Sequence, residues 1–230
     1  YDLTELQRDA NRIFGFSAKE TLSTMQTLYE RHKILTYPRT DSRYLSDDMV
    51  DTIKDRIKSI NISQYSKFAC EILKRPIKAN KSFVDNKKVT DHHAIIPTEE
   101  RVKLSELNSN EKKIYDLVIK RFLSVLYDPF EYEQTTIRAN IGEEKFIVKG
   151  KRIINEGWKE IYSYIDDDEE SEDDIKDQVL PLIEKGDILK VERMKQTIGK
   201  TKPPVYFNEG TLLTAMENPA KYMESNNKEL

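Results

Sequence analysis

Three short segments of this 230-residue chain combine reactive polar side chains with residues that favour turns. The first, from Leu35 to Ser42, reads Leu-Thr-Tyr-Pro-Arg-Thr-Asp-Ser. The second, from Asp91 to Thr98, reads Asp-His-His-Ala-Ile-Ile-Pro-Thr, and the third runs from Lys202 to Leu213. Their phenol, guanidinium, imidazole and hydroxyl groups suit phosphate chemistry, because one group can attack phosphorus while the others donate hydrogen bonds to phosphate oxygens.

The first segment places Tyr37 two residues before Arg39. Pro38 disfavours a helix at Tyr37, so we expect an extended segment in which both side chains face the same side. A phenol, with an ordinary pKa of about 10, can form a phosphate ester that is reversed without an external energy source. A neighbouring guanidinium would stabilise the phenolate and the phosphate oxygens. On spacing alone, a packed tyrosine beside a surface arginine remains the more common explanation.

The second segment places Asp91, His92 and His93 next to one another, which suggests a divalent metal site. Adjacent residues of a strand point to opposite faces, however, so two contiguous histidines rarely bind one metal. A single histidine that donates to a phosphate when protonated is the better functional interpretation, and a structural histidine is equally open.

The third segment contains Thr211 just after a Pro-Pro turn, at the predicted start of a helix. The N-terminus of a helix can present backbone N–H groups and a hydroxyl to a phosphate. An ordinary helix start explains the same pattern.

The first half of the chain is predicted to be helical, because apolar residues recur there at three- and four-residue spacing. Gly15 favours the end of the first helix, and Ser17 with Glu20 fits a capping box at the start of the second. The predicted helices cover residues 3–13, 18–30, 49–60, 65–73 and 110–127, with a loop over 77–90.

The pattern changes near Phe130, where β-branched and aromatic residues alternate with polar ones. We predict strands over 130–138, 145–149 and 188–194, followed by a short helix over 209–218. The fold class predicted from these elements is α+β and multidomain.

Charge is unevenly distributed along the chain. There are 38 Lys and Arg residues against 41 Asp and Glu, which gives a formal net charge of −3. Eight of the nine residues from Asp166 to Asp174 are acidic, and without these eight the net charge would be +5. A contiguous acidic run predicts a solvated loop rather than a metal site, which needs carboxylates held apart on a scaffold. The mildly basic remainder permits nucleic-acid binding without requiring it.

Composition excludes several classes of protein. No apolar run approaches the roughly 20 residues of a membrane span, and the first residues show neither an initiator Met nor a signal peptide. We therefore expect no membrane association and a segment excised from a longer protein. The single cysteine, Cys70, excludes a disulfide framework and a cysteine zinc site, which fits a reducing intracellular compartment.

Taken together and in this order, the three segments resemble the motifs of type IA DNA topoisomerases, specifically those of the topoisomerase III branch. Residues 36–42 are similar to the family's active-site tyrosine motif and residues 91–98 to its histidine motif. Residues 203–218 are similar to its Pro-Pro…Glu-Gly-Thr-Leu-Leu…Ala-Met-Glu-Asn segment, and residues 1–18 also resemble the family. The resemblance covers nearly the whole chain.

The resemblance implies a transesterification on single-stranded DNA. Tyr37 would attack a phosphodiester and form a 5′-phosphotyrosyl link, leaving a free 3′-hydroxyl. Another strand would then pass through the gap, and the hydroxyl would reverse the link. Arg39 would stabilise the transition state, and His92 would contact the scissile phosphate. Further contacts to DNA are expected from Thr40, Asp41, Ser42, His93 and Thr211.

The resemblance also implies a division into domains. Residues 1–130 would form a helical gate domain that carries the tyrosine. Residues 131–203 would form a β-rich segment of the family's arch, and residues 204–230 would begin the next helical domain.

Nothing in the sequence resembles the family's Toprim domain, whose acidic residues hold Mg²⁺ and whose lysine assists proton transfer. We therefore expect Mg²⁺ to be required but not bound by these residues. The expected partners are single-stranded DNA and the missing N-terminal Toprim and C-terminal regions, and the expected location is the bacterial cytoplasm, at the nucleoid. The full enzyme would relax or decatenate DNA, and this chain alone would be inactive.

Other functions predict different behaviour. A metal-dependent phosphoesterase would depend on Asp91 and His92 rather than on Tyr37. A non-catalytic single-stranded DNA binding module would be indifferent to Tyr37. A tyrosine recombinase would need an Arg/His cluster upstream of a late tyrosine, and Tyr37 comes early.

Overall fold

The computed structural model describes residues 1–60, 63–162 and 178–222. The chain divides into two compact units, one formed by residues 1–127 together with the segment from Tyr206, and the other by residues 128–205. The described residues form six α-helices and one two-stranded antiparallel sheet, which confirms the α+β class. The acidic run at 166–174 lies outside the described residues. Assignment of these segments to a gate, an arch and a further helical domain stays a prediction.

The first two helices begin at the predicted residues and end within one residue of the predicted ends. Helix α1 spans Leu3–Phe14, and the Asp2 side chain accepts a first-turn backbone N–H at 2.7 Å. Gly15 ends it with a φ of 70°, a left-handed conformation that glycine adopts without steric cost. Helix α2 spans Ala18–Glu30, with the Ser17 hydroxyl as its cap.

The predicted third helix is divided in two. A 3₁₀ turn covers Asp47–Thr52, and only then does α3 follow over Ile53–Ser59. Ser46 makes no side-chain cap hydrogen bond, and the Asp47 N–H instead donates to Asn86 Oδ1 at 2.8 Å. A contact from a distant loop therefore replaces the local cap that the sequence predicts.

Two further helices complete the first half. Helix α4 spans Ser66–Leu73, and α5 spans Ser109–Leu126. Asn108 and Glu111 form a reciprocal capping box at the start of α5, one that sequence inspection missed. Helices α1, α2 and α5 contact one another through buried apolar side chains, among them Leu6, Met25, Leu28, Ile114, Leu117 and Val118.

The last helix, α6, spans Glu209–Glu217 and packs on α1. The Glu217 carboxylate lies 2.6 Å from the Arg8 guanidinium. A side chain at Gly210 would meet Asn11 Oδ1 at 3.1 Å, so glycine permits this close approach.

The second unit is built on a β-hairpin. Strands β1 (Glu131–Ile141) and β2 (Glu144–Asn155) pair antiparallel, and the turn uses Gly142 at a φ of 63°. The predicted strand over 188–194 is wrong, because no strand of the described residues pairs with it. Ile188 is 97% exposed, so the alternating pattern finds neither a ladder partner nor a surface to bury against.

None of the described helices is both long enough and apolar enough to cross a membrane.

Candidate active site

The first two motifs lie side by side in the structure. The Thr36 N–H donates to the Ile96 carbonyl at 3.0 Å, and the Ile96 N–H donates back to Thr36 Oγ1 at 3.0 Å. Leu35 and Pro97 form an isolated antiparallel bridge between the same two segments. Main-chain bonds therefore fix segments about 60 residues apart in sequence against each other.

Hydroxyl groups of the tyrosine motif continue this network. Buried Thr40 donates from Oγ1 to the His92 carbonyl at 3.0 Å and accepts the Ser42 N–H at 3.1 Å. Buried Ser42 donates from Oγ to the Lys88 carbonyl at 2.8 Å. Asp41 is exposed and accepts a hydrogen bond from Thr90 Oγ1 at 3.2 Å. Thr40 and Ser42 thus have their hydroxyls inside the loop network, whereas Asp41 lies at the surface.

Tyr37 is half-buried between two rings. Its ring centroid lies 4.4 Å from that of His92, at an interplanar angle of 45°. Tyr29, from the last turn of α2, meets it edge-on at 5.5 Å and 78°. The Tyr37 hydroxyl makes no hydrogen bond within the part of the chain that the structure describes, so its oxygen can approach an incoming group.

Two surface cavities adjoin this ring pair. Tyr37 lines one of about 620 Å³, together with Tyr29, Lys33, His93 and others. Arg39 and His92 line the other, of about 430 Å³, together with Thr4, Asp41, Thr90 and Asp91. The Tyr37–His92 contact therefore lies between the two cavities.

Tyr37 and Arg39 do not share one side of an extended segment. The chain bends at Pro38, where the Thr40 N–H donates to the Pro38 carbonyl at 3.1 Å. Because of this bend the two side chains line different cavities, which corrects the geometry expected from their two-residue spacing.

Arg39 is exposed, and its guanidinium makes no ion pair or hydrogen bond to any residue that the structure describes. Its donors are thus available to an anion from solvent. His92 is also exposed on the same cavity. This cavity presents a guanidinium and an imidazole beside the tyrosine, a combination suited to phosphate oxygens.

His93 faces the other cavity and is half-buried. Its Nδ1 lies 2.7 Å from the Ala94 carbonyl, a position that requires Nδ1 to carry a proton. Burial lowers the pKa of His93 below its ordinary value of 6.5, with nearby Arg56 and His92 acting in the same direction. The two adjacent histidines therefore line different cavities.

The lowered pKa of His93 predicts acid sensitivity. Below pH 6.5 the unfolded chain binds this proton more readily than the folded one, so the contribution of His93 to stability is complete above pH 6.5 and is lost as the pH falls. We expect the free energy of unfolding, measured by urea titration, to fall from pH 7 to pH 5 less steeply in His93→Gln than in the parent. Parallel pH profiles for the two proteins would contradict this assignment.

Thr211 lines neither cavity. Its hydroxyl accepts the Asn208 N–H at 2.9 Å, while its own N–H donates to Asn208 Oδ1 at 2.7 Å, which makes a capping box at the start of α6. The Thr211 hydroxyl therefore caps the N-terminus of α6 in this structure.

Sequence inspection missed several residues of the Tyr37 cavity, among them Tyr29, Glu30 and Lys33. Lys33 has a φ of 58°, the single left-handed non-glycine conformation in the described ranges, and Thr98 Oγ1 donates to its carbonyl at 2.6 Å. This hydrogen bond helps to hold a conformation that is costly for lysine. The available signal was the basic run at residues 31–33, directly before the tyrosine motif.

A model of the DNA topoisomerase family matches residues 1–220. The chain belongs to this family. It is 60% identical over all 230 residues to DNA topoisomerase 3 of Bacillus thuringiensis (strain Al Hakam) and covers 32% of that protein. It is 57% identical to DNA topoisomerase 3 of Bacillus licheniformis, covering 31%, and 56% identical to that of Bacillus subtilis (strain 168), covering 32%. These matches confirm the resemblance to the bacterial type IA topoisomerase III branch, and the chain spans about a third of the length of these relatives.

The magnesium ion expected for the family does not fit the residues described here. No three His, Cys, Asp or Glu side chains come together as ligands within residues 1–60, 63–162 and 178–222. Asp91 and His92 line one cavity while His93 lines the other, so the Asp-His-His segment does not converge on one point.

Proposed function

We propose that this chain supplies the nucleophile of a type IA topoisomerase. The Tyr37 oxygen attacks a phosphodiester of single-stranded DNA, and the bond between phosphorus and the 3′ oxygen breaks as the new bond forms. The products are a 5′-phosphotyrosyl link and a 3′-hydroxyl, which takes up the proton that the phenol gives up. The reverse attack by that hydroxyl restores the strand and the phenol, so the number of phosphoester bonds is unchanged throughout.

The observation that carries this proposal is the contact between Tyr37 and His92, 4.4 Å apart between ring centroids. It joins the tyrosine motif to the histidine motif at one point of the surface. A phosphate above this ring pair would meet the phenol from one cavity and the Arg39 guanidinium from the other.

The roles of the neighbouring groups follow from their charge and exposure. Arg39 stabilises the negative charge on the phosphate oxygens in the transition state, and His92 donates to an oxygen of the same phosphate. Asp41 and His93, at the edges of the two cavities, contact the adjoining DNA. Thr40 and Ser42 influence DNA binding without touching DNA, because their hydrogen bonds fix the loop that carries Arg39. We also place Thr211 among the DNA contacts, through the exposed start of α6.

The complete reaction requires groups that these residues lack. We propose that the Mg²⁺ and the proton-transfer lysine come from a Toprim domain outside this chain. With those parts the enzyme would pass one strand through the gap and relax or decatenate DNA. The relatives' name supports DNA as the substrate.

The experiment that tests this function is covalent trapping. The chain is combined with a separately expressed Toprim-containing N-terminal piece of a relative, Mg²⁺ and labelled single-stranded DNA, and the mixture is then denatured. We expect a protein–DNA adduct on this chain with the partner present, and neither adduct nor relaxation of supercoiled DNA by the chain alone. Relaxation by the chain alone would refute the division of roles, and hydrolysis that survives loss of Tyr37 would favour a phosphoesterase.

A further inference from the structure

One face of the β1–β2 hairpin carries cations and no carboxylate. Opposite residues of an antiparallel pair lie on the same face, and faces alternate along each strand. One face of the hairpin therefore consists of the even-numbered residues of β1 from Tyr132 to Asn140 and the odd-numbered residues of β2 from Lys145 to Ile153. We call this surface the basic face. None of its residues is acidic, whereas Glu133 and Glu144 lie on the opposite face.

The second unit's own chain covers the opposite face closely at one position, Gly150. That face carries the apolar residues Ile137, Phe146 and Val148, of which Phe146 and Val148 are 43% and 40% exposed, and residues near Leu180 cover it at Gly150. A side chain at Gly150 would meet Leu180 Cγ at 2.6 Å, which shows how closely the covering segment approaches. The basic face differs from it in charge, because no carboxylate on the same face compensates its cations.

The cations of the basic face form a regular row. Each of four successive pairs of opposite residues on this face contains one cation. In order along the hairpin these cations are Lys145, Arg138, Lys149 and Lys151. Same-face positions are about 6.8 Å apart along a strand, at ~3.4 Å per residue. Three of them are exposed and form no ion pair with any described residue: Arg138, Lys145 and Lys149.

The row ends at an aromatic side chain. Tyr132 occupies the next pair after Lys151 and is 47% exposed. The Lys151 ammonium lies 5.8 Å from its ring centroid. A row of cations beside an exposed ring is the combination that single-stranded nucleic-acid binding surfaces use, because phosphates pair with the cations and a base stacks on the ring.

We propose that the basic face binds the phosphodiester backbone of single-stranded DNA, with one phosphate at each of the three exposed cations, Lys145, Arg138 and Lys149, and a base on Tyr132. The repeat of about 6.8 Å matches an extended strand, whereas each strand of a duplex advances only about 3.4 Å per phosphate along the helix axis. The choice of DNA rests on the proposed function. The binding itself needs neither Tyr37 nor a metal.

The test compares the chain with the triple variant Arg138→Gln/Lys145→Gln/Lys149→Gln by fluorescence anisotropy of an oligothymidylate over a salt series. Each cation paired with a single-strand phosphate contributes about 0.7 to the slope of log K against log salt, or roughly fivefold in affinity at ~0.1 M salt. We expect the triple variant to bind on the order of 100-fold more weakly and its slope to fall in magnitude by about 2. If the triple variant folds poorly, the single variants Lys145→Gln and Lys149→Gln replace it, and each is expected to bind about fivefold more weakly than the parent.

A matched control removes the same charge elsewhere. Lys58, Lys103 and Arg152 are also exposed but already pair with Asp55, Glu106 and Glu133 at 2.7, 3.2 and 2.6 Å. A variant with all three residues replaced by Gln should bind the oligothymidylate with an affinity within about twofold of the parent, because the carboxylates already compensate these charges.

Several results would overturn the proposal. These are undetectable binding by the parent at low salt, equal losses in the basic-face and control variants, or tighter binding to a duplex with the same dependence on the three cations. In a Tyr37→Phe background, where trapping is abolished, removal of the three cations should still weaken DNA binding by the same factor. A failure of the binding surface is therefore distinguishable from a failure of the proposed chemistry.

Discussion

Replacing Tyr37 by Phe is expected to abolish the covalent protein–DNA adduct completely in the trapping assay with the Toprim-containing partner. Phenylalanine keeps the ring that contacts His92 at 4.4 Å and Tyr29 at 5.5 Å but has no oxygen to attack phosphorus. Because the hydroxyl makes no hydrogen bond among the described residues, we expect the free energy of unfolding to change by no more than about 0.5 kcal/mol. The measurement is the fraction of labelled DNA that stays with the protein after denaturation.

Tyr29→Phe is the matched control for this change. Tyr29 lines the same cavity and meets the same ring, so removing its hydroxyl makes the same chemical change a few ångströms away. We expect the adduct to persist in this control. An adduct that survives in Tyr37→Phe and disappears in Tyr29→Phe would move the nucleophile to Tyr29.

Replacing Arg39 by Gln is expected to slow adduct formation about 100- to 1,000-fold, the usual effect of removing one donor that stabilises transition-state charge. The exposed guanidinium makes no ion pair within the described residues, so the change should not lower the melting temperature. Arg39→Lys should recover only part of the rate, because an ammonium keeps the charge but not the planar pair of donors. The measurement is the single-turnover rate of adduct formation at saturating DNA.

Arg101→Gln provides the control, since Arg101 is an exposed arginine that lines neither cavity. It should react at the parent rate. If Arg39→Gln also reacted at the parent rate, with or without a change in DNA affinity, the assignment of Arg39 to the transition state would be wrong.

The helices of the first unit were largely predictable because their signals are local. Gly15 ends α1 through its own backbone freedom, and Ser17 caps α2 with a hydrogen bond to a residue three positions away. The two strands of the second unit were also predicted, over shorter ranges than observed, but their pairing as a hairpin was not. The strand over 188–194 was not, because a strand exists only where another strand offers its N–H and C=O groups, and one segment cannot reveal that.

The sequence by itself determined which groups could do the chemistry and in which segments they occur. The tyrosine, arginine and histidine of the proposed site were all named from their types, their order and their family resemblance. These properties belong to the residues and do not depend on how the chain folds. The same holds for Gly15 and Ser17, whose roles at the ends of α1 and α2 are local.

Only the tertiary structure decided how these groups are arranged. The contact between Tyr37 and His92 joins residues 55 positions apart, and it depends on the hydrogen bonds of Thr36 and Thr40 to the second segment. The bend at Pro38 sends Arg39 into a different cavity from Tyr37, and Tyr29 enters the site because α2 ends beside it. Such contacts form when main-chain groups distant in sequence satisfy one another's hydrogen bonds, and no local spacing encodes that outcome.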